Sequence, residues 1–80
     1  MKATMRSWLK KLREQKSLSQ TKMAELLGVS RQSYNFIENY ERQTDLNLST
    51  ASKISDILGV PLSTIRNYEE ALRGEENAKE

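Results

Sequence analysis

Two complete helix-start signals stand on either side of a single glycine, and this pairing limits what the chain can fold into more than any other feature. From Leu18 to Glu38 the sequence reads LSQTKMAELLGVSRQSYNFIE. Ser19 is a suitable N-cap for a helix over 20–27, with Leu18 and Met23 at the spacing of a hydrophobic staple. Gly28 can adopt the left-handed backbone that ends a helix. Ser30 then caps a second helix at once, and Val29 and Tyr34 repeat the staple spacing. A link as short as Gly28-Val29-Ser30 makes the two helices cross steeply instead of folding back antiparallel. That is a helix-turn-helix arrangement.

The remainder of the chain also reads as helix, and no stretch has the period-two alternation of a strand. A first helix is expected over about 4–16, with Met5, Leu9, Leu12 and Trp8 on its apolar side. A fourth runs from Leu48 to Leu58 behind the cap Asn47, with Leu48, Ala51, Ile54, Ile57 and Leu58 in its stripe and Gly59 as its stop. A fifth starts at Pro61, where a missing N–H costs nothing, and carries Ile65, Tyr68 and Leu72. At 80 residues, one compact core is all that can form. The expectation is an all-α, five-helix bundle over 1–73 followed by a polar, frayed tail over 74–80.

Composition removes most catalytic chemistries. There is no Cys and no His, so disulfides, thiolate or imidazole metal sites and Ser-His or Cys-His pairs are unavailable. No cofactor, metal, small-molecule ligand or enzymatic activity is expected. The Glu69-Glu70 and Glu75-Glu76 pairs read as solvated charges. The apolar runs are too short to span a bilayer, and the expected location is the cytoplasm. The net charge of +2 conceals an asymmetry. Residues 1–39 hold eight Lys and Arg against three Asp and Glu, whereas residues 40–80 hold five against eight. A basic first half points to a polyanionic partner.

The third helix is where that partner would be read. Tyr34, Ile37 and Glu38 share its inner face, which leaves Arg31, Gln32, Ser33, Asn35 and Phe36 outside. Arg pairs with guanine O6/N7 in the major groove, Gln and Asn with adenine N6/N7, and an apolar group touches the thymine methyl. The plain alternative is an ordinary solvated polar face. At the second helix, Ser19, Gln20 and Thr21 lie where unpaired N–H groups and the helix dipole favour a phosphate, with Gln20 the most useful side chain. Arg13 follows Leu9 by four residues and Glu38 follows Tyr34 by four, so each charge borders an apolar face. Two half-buried opposite charges on converging helices predict an Arg13–Glu38 ion pair with a structural role.

With these residues in view, LREQKSLSQTKMAELLGVSRQSYNFIE, continuing through LSTASKISDILGVPLSTI, resembles the phage lambda repressor and Cro-type (XRE-type) helix-turn-helix family over about residues 8–66. The resemblance implies a five-helix bundle that binds operator DNA as a dimer, with the helix after GVS in the major groove. The family's base-reading positions fall on Arg31, Gln32 and Asn35, with Ser33 and Phe36 adjacent. Its phosphate-contacting glutamine matches Gln20, a polar residue near the end of the third helix matches Asn39, and its internal Arg–Glu pair matches Arg13 and Glu38. This chain departs from the pattern where Tyr40 replaces the usual Gly, where the Pro before the fourth helix is missing, and in a loop about two residues longer. Arg42 is the candidate to replace the loop's backbone phosphate contact.

The resulting expectation is a sequence-specific regulator of transcription, a repressor, that binds double-stranded DNA as a homodimer. Half-sites would lie about 10 bp apart on a palindrome. The alternative is a helical protein–protein module or an antitoxin, whose partner is another protein.

Overall fold

A computed structural model of the chain describes the backbone of residues 5–40 and 46–77, and their side chains as far as residue 74. Among the described residues five helices follow in order: α1 (Ser7–Gln15), α2 (Gln20–Leu27), α3 (Arg31–Glu38), α4 (Leu48–Leu58) and α5 (Leu62–Asn77). There is no strand among the described residues.

Local chemistry explains the boundaries. Ser19, Ser30 and Asn47 each have extended backbone, and their side-chain oxygens accept from the N–H groups of Lys22, Ser33 and Thr50. Gly28 sits at φ +75°, and the next N–H, that of Val29, reaches back 3.0 Å to the Ala24 carbonyl, closing α2 in a Schellman-type turn. A β-carbon at Gly28 would meet nothing, so the requirement for glycine is the backbone conformation alone.

Three expectations need correction. Helix α1 starts at Ser7, later than residue 4, because Arg6 has non-helical backbone (φ −86°, ψ +78°), with its N–H 2.7 Å from the Glu38 carbonyl at the end of α3. Leu48 is 75% exposed and lies outside the core. At 100° per residue it is roughly 120° around α4 from the buried Ile54. Helix α5 continues past Gly74 to Asn77, into the stretch read as a frayed tail; residues 78–80 lie outside the described residues.

Leu9, Met23, Ala24, Leu27, Tyr34, Ile54, Leu58 and Ile65 form the centre of the core, with Trp8 and Ala51 at its edge. All five helices therefore contribute, and α3 is tied to the bundle by one inner face. Trp8 also stacks on Tyr68, the ring centroids 5.3 Å apart and nearly parallel. A second, small cluster pairs Tyr40 with Leu72.

Candidate nucleic-acid interface

The site is built outward from one carboxylate. Glu38 ends α3 and is 1% exposed. Its Oε2 receives Arg13 Nε at 2.8 Å and the Tyr34 hydroxyl at 2.7 Å; its Oε1 receives Gln20 Nε2 at 2.8 Å and Arg13 Nη2 at 3.3 Å. Arg13 Nη1 donates on to the Leu18 carbonyl at 2.7 Å, fixing the link that precedes α2. Donors from α1, α2 and α3 thus converge on a single buried acceptor. Among the described residues no buried side-chain nitrogen or oxygen lacks a partner.

The electrostatics follow from this geometry. Burial acts to raise the Glu38 carboxyl, but the hydrogen bonds from Arg13, Tyr34 and Gln20 outweigh it and hold the group below its ordinary value. The hydrogen bond to Glu38 raises Arg13, against the opposing effect of burial. Tyr34 is pushed up, first by burial and then by its hydrogen bond to the carboxylate. Glu38 and Arg13 are therefore charged and Tyr34 neutral across the physiological range.

Above this base lies the outer face of α3. Arg31, Gln32 and Ser33 are exposed, Asn35 is half-buried, and Phe36 is 49% exposed. Arg31, Gln32 and Asn35 line one open surface depression of about 410 Å³. Asn35 is held by its neighbour one turn on, since Asn39 Nδ2 donates to Asn35 Oδ1 at 2.9 Å. Its own amide N–H groups stay available as donors. Ser33 belongs to the cap of α3: its N–H donates to Ser30 Oγ, and its Oγ accepts from that hydroxyl at 3.0 Å.

The start of α2 is tied to the C-terminal end of α3 by the Gln20–Glu38 contact, while the tight turn joins the other end of α2 to the start of α3. Ser19 caps the Lys22 N–H, while Gln20 and Thr21 occupy the first turn, whose N–H groups have no partner within a helix. One N–H of the Gln20 amide points to Glu38, and an amide nitrogen carries two. The second is free to meet an external acceptor. Asn39 closes α3 as its C-cap and is half-buried. Arg42 lies outside the described residues.

Sequence reasoning overlooked a second buried ion pair. Arg6, 1% exposed, donates through Nε and Nη2 to the two oxygens of Glu69, each at 2.9 Å, and the Trp8 indole N–H joins Glu69 Oε2 at 2.9 Å. The reading of Glu69 as a solvated charge is therefore corrected. Glu70 is exposed and pairs with Arg66 at 3.3 Å. The signal was present: Arg6 precedes Leu9 by three residues and Glu69 follows Ile65 by four, the same relation to an apolar stripe that identified Arg13 and Glu38.

Comparison with known proteins agrees with this geometry. Residues 9–65 match the family model described as helix-turn-helix. Over 52 residues the chain is 46% identical to the SPbeta prophage-derived uncharacterized HTH-type transcriptional regulator YonR of Bacillus subtilis, covering 65% of this chain and 46% of the relative. Over 71 residues it is 41% identical to the uncharacterized HTH-type transcriptional regulator YqaE of the same organism, covering 89% and 54%. A putative HTH-type transcriptional regulatory protein of Archaeoglobus fulgidus is 45% identical over 51 residues, covering 64% of this chain and 16% of that protein. The chain thus spans from about a sixth to about half the length of these relatives.

Proposed function

Since the chain belongs to the lambda repressor-like (XRE-type) helix-turn-helix family, we propose that it is a sequence-specific, double-stranded DNA-binding repressor of transcription that reads a palindromic operator through α3. The observation that carries the reading is that Arg31, Gln32 and Asn35 line one exposed depression, while the helix bearing them is fixed from below by the Glu38 network. A reader must present its side chains at a set angle, and a helix held at its inner face supplies that angle. Arg31, Gln32 and Asn35 are the base readers, with Ser33 and Phe36 at their margin. Ser19, Gln20, Thr21 and Asn39 anchor phosphates, and Arg42, outside the described residues, is a further candidate for such a contact on sequence alone. Phosphate contacts supply affinity, and base contacts supply discrimination.

A homodimer completes the reading. A groove of about 580 Å³ between α4 and α5 is lined by Leu46, Leu48, Ala51, Leu62 and Ile65 together with polar and charged residues of α5, Arg66 and Glu70 among them. Leu48 and Leu62 are both exposed there. An antiparallel crossing of two α5 helices, centred midway between Arg66 and Glu70, sets each of these charges opposite its counterpart on the other copy. This self-complementarity favours a second copy of the chain as occupant.

Selection of binding sites from random double-stranded DNA tests the proposal. The expected product is a palindrome with half-sites about one helical turn apart, bound with an affinity that falls steeply as salt rises. Recovery of no motif, together with a flat salt dependence, would instead favour a protein partner.

A further inference from the structure

The reading helix is held at two points, and its second support has a different origin from the first. Arg6 lies just before α1, yet its donors meet the far end of α3. Its N–H reaches the Glu38 carbonyl at 2.7 Å, and Nη1 reaches the Ile37 carbonyl at 2.7 Å. Ile37 and Glu38 occupy the last turn of α3, whose carbonyls lack the partner a further helical turn would supply, although that of Ile37 also accepts the Tyr40 N–H at 3.2 Å. Arg6 therefore caps α3 from another element, and its positive charge lies at the negative end of the helix dipole.

The rest of the guanidinium is directed elsewhere. Nε and Nη2 form a two-pronged contact with Glu69 on α5, and the ring of Tyr40 lies 4.9 Å from the guanidinium carbon. Tyr40 itself sits at φ +56°, just beyond the C-cap of α3, and is 5% exposed. A side chain at that backbone conformation is strained, and here the strain is offset by burial against Leu72 and by the cation above the ring. Arg6 thus joins three things: the C-terminal turn of α3, the residue just beyond its C-cap, and α5.

We propose that Arg6 and Glu69 are positioning residues for base reading, which set the angle of α3 from its C-terminal end and make that angle depend on α5. The proposal rests on the assignment of α3 as the DNA reader. The Glu38 network fixes the inner face of α3 against α1 and α2; the Arg6 fork fixes its end against α5. Neither Arg6 nor Glu69 needs to touch DNA, since a helix released at one end pivots about the other. Planar fork geometry is the essential property, because a lysine ammonium carries the same charge without meeting both Glu69 oxygens and the Ile37 carbonyl together.

The test compares wild type, Arg6→Lys and Glu69→Gln, each as the full chain. For each, affinity is measured for the motif selected by the wild type and for mixed-sequence DNA, with far-UV circular dichroism in the same buffer. The expected result is a drop of about tenfold in the ratio of matched to mixed affinity in Arg6→Lys, and a drop in the same direction in Glu69→Gln. The affinity of folded protein for mixed DNA, and its salt dependence, should be unchanged. An unchanged ratio in both variants overturns the proposal. So does a loss of both affinities in step with the folded fraction, which assigns the pair to stability alone. If the wild type itself selects no motif, the reading of α3 fails first, and the two failures are thereby distinguished.

Discussion

Gln20 Nε2 lies 2.8 Å from Glu38 Oε1, so the first turn of α2 and the last turn of α3 share one carboxylate. We predict that Gln20→Ala has two effects. Loss of a donor to a buried charge lowers stability by about 1–3 kcal/mol. Loss of the phosphate contact weakens matched and mixed DNA about equally. Thermal unfolding and paired affinities check this; a variant that loses only its preference among sequences contradicts the assignment.

The same carboxylate gives stability a pH dependence of known sign. The Glu38 carboxyl is held below its ordinary value when folded, so the unfolded chain takes up protons first as pH falls. The contribution is complete at neutral pH and declines as pH drops below about 4–5, the range of unfolded carboxylates. Tyr34 is raised when folded, so its contribution is complete below about pH 10 and is lost as pH climbs past that value. Glu38→Gln should be less stable at pH 7 and show a flatter acid limb in denaturant midpoints. Parallel acid limbs for the two proteins would place the titration elsewhere.

Among the described residues, two other than glycine have left-handed backbone, Ser17 at φ +58° and Tyr40 at φ +56°, and glycine should affect them oppositely. Ser17 is exposed, so Ser17→Gly relieves strain and loses no packing. A gain of about 0.5–1 kcal/mol is expected. Tyr40→Gly relieves the same strain but removes a buried ring that packs on Leu72 and lies under Arg6. A net loss of about 1–3 kcal/mol is expected. Chemical denaturation measures both, and stabilisation by Tyr40→Gly would mean that the ring adds little.

If α5 and the start of α4 pair two copies of the chain, Leu48→Lys should shift the protein to monomer in sedimentation at micromolar concentration. Leu48 is exposed, so its circular dichroism should not change. Undiminished dimer would move the interface to another face.

The two central helices were legible because their signals are local. Ser19, Gly28 and Ser30 act within a turn of where they stand, and each does what its chemistry implies. The Arg13–Glu38 contact followed from two charges bordering apolar stripes. Arg6 and Glu69 met the same criterion, but they lie 63 positions apart, and nothing local pairs them. Leu48 was misplaced because a helix's first residue can match the apolar spacing while sitting at the stripe's edge. The role of Tyr40 was hidden for a different reason. Its backbone conformation suits glycine, and only tertiary contacts show why a tyrosine stands there.

The most direct test of the account is the binding preference of Gln32→Ala, determined by repeating the selection from random DNA. The predicted outcome is the wild-type palindrome with preference relaxed at one base pair per half-site. It should be accompanied by a loss of about 1–3 kcal/mol on the original motif and little change on mixed DNA. A variant that recovers the unaltered motif, or that weakens on every sequence alike, would contradict the claim that the outer face of α3 reads bases.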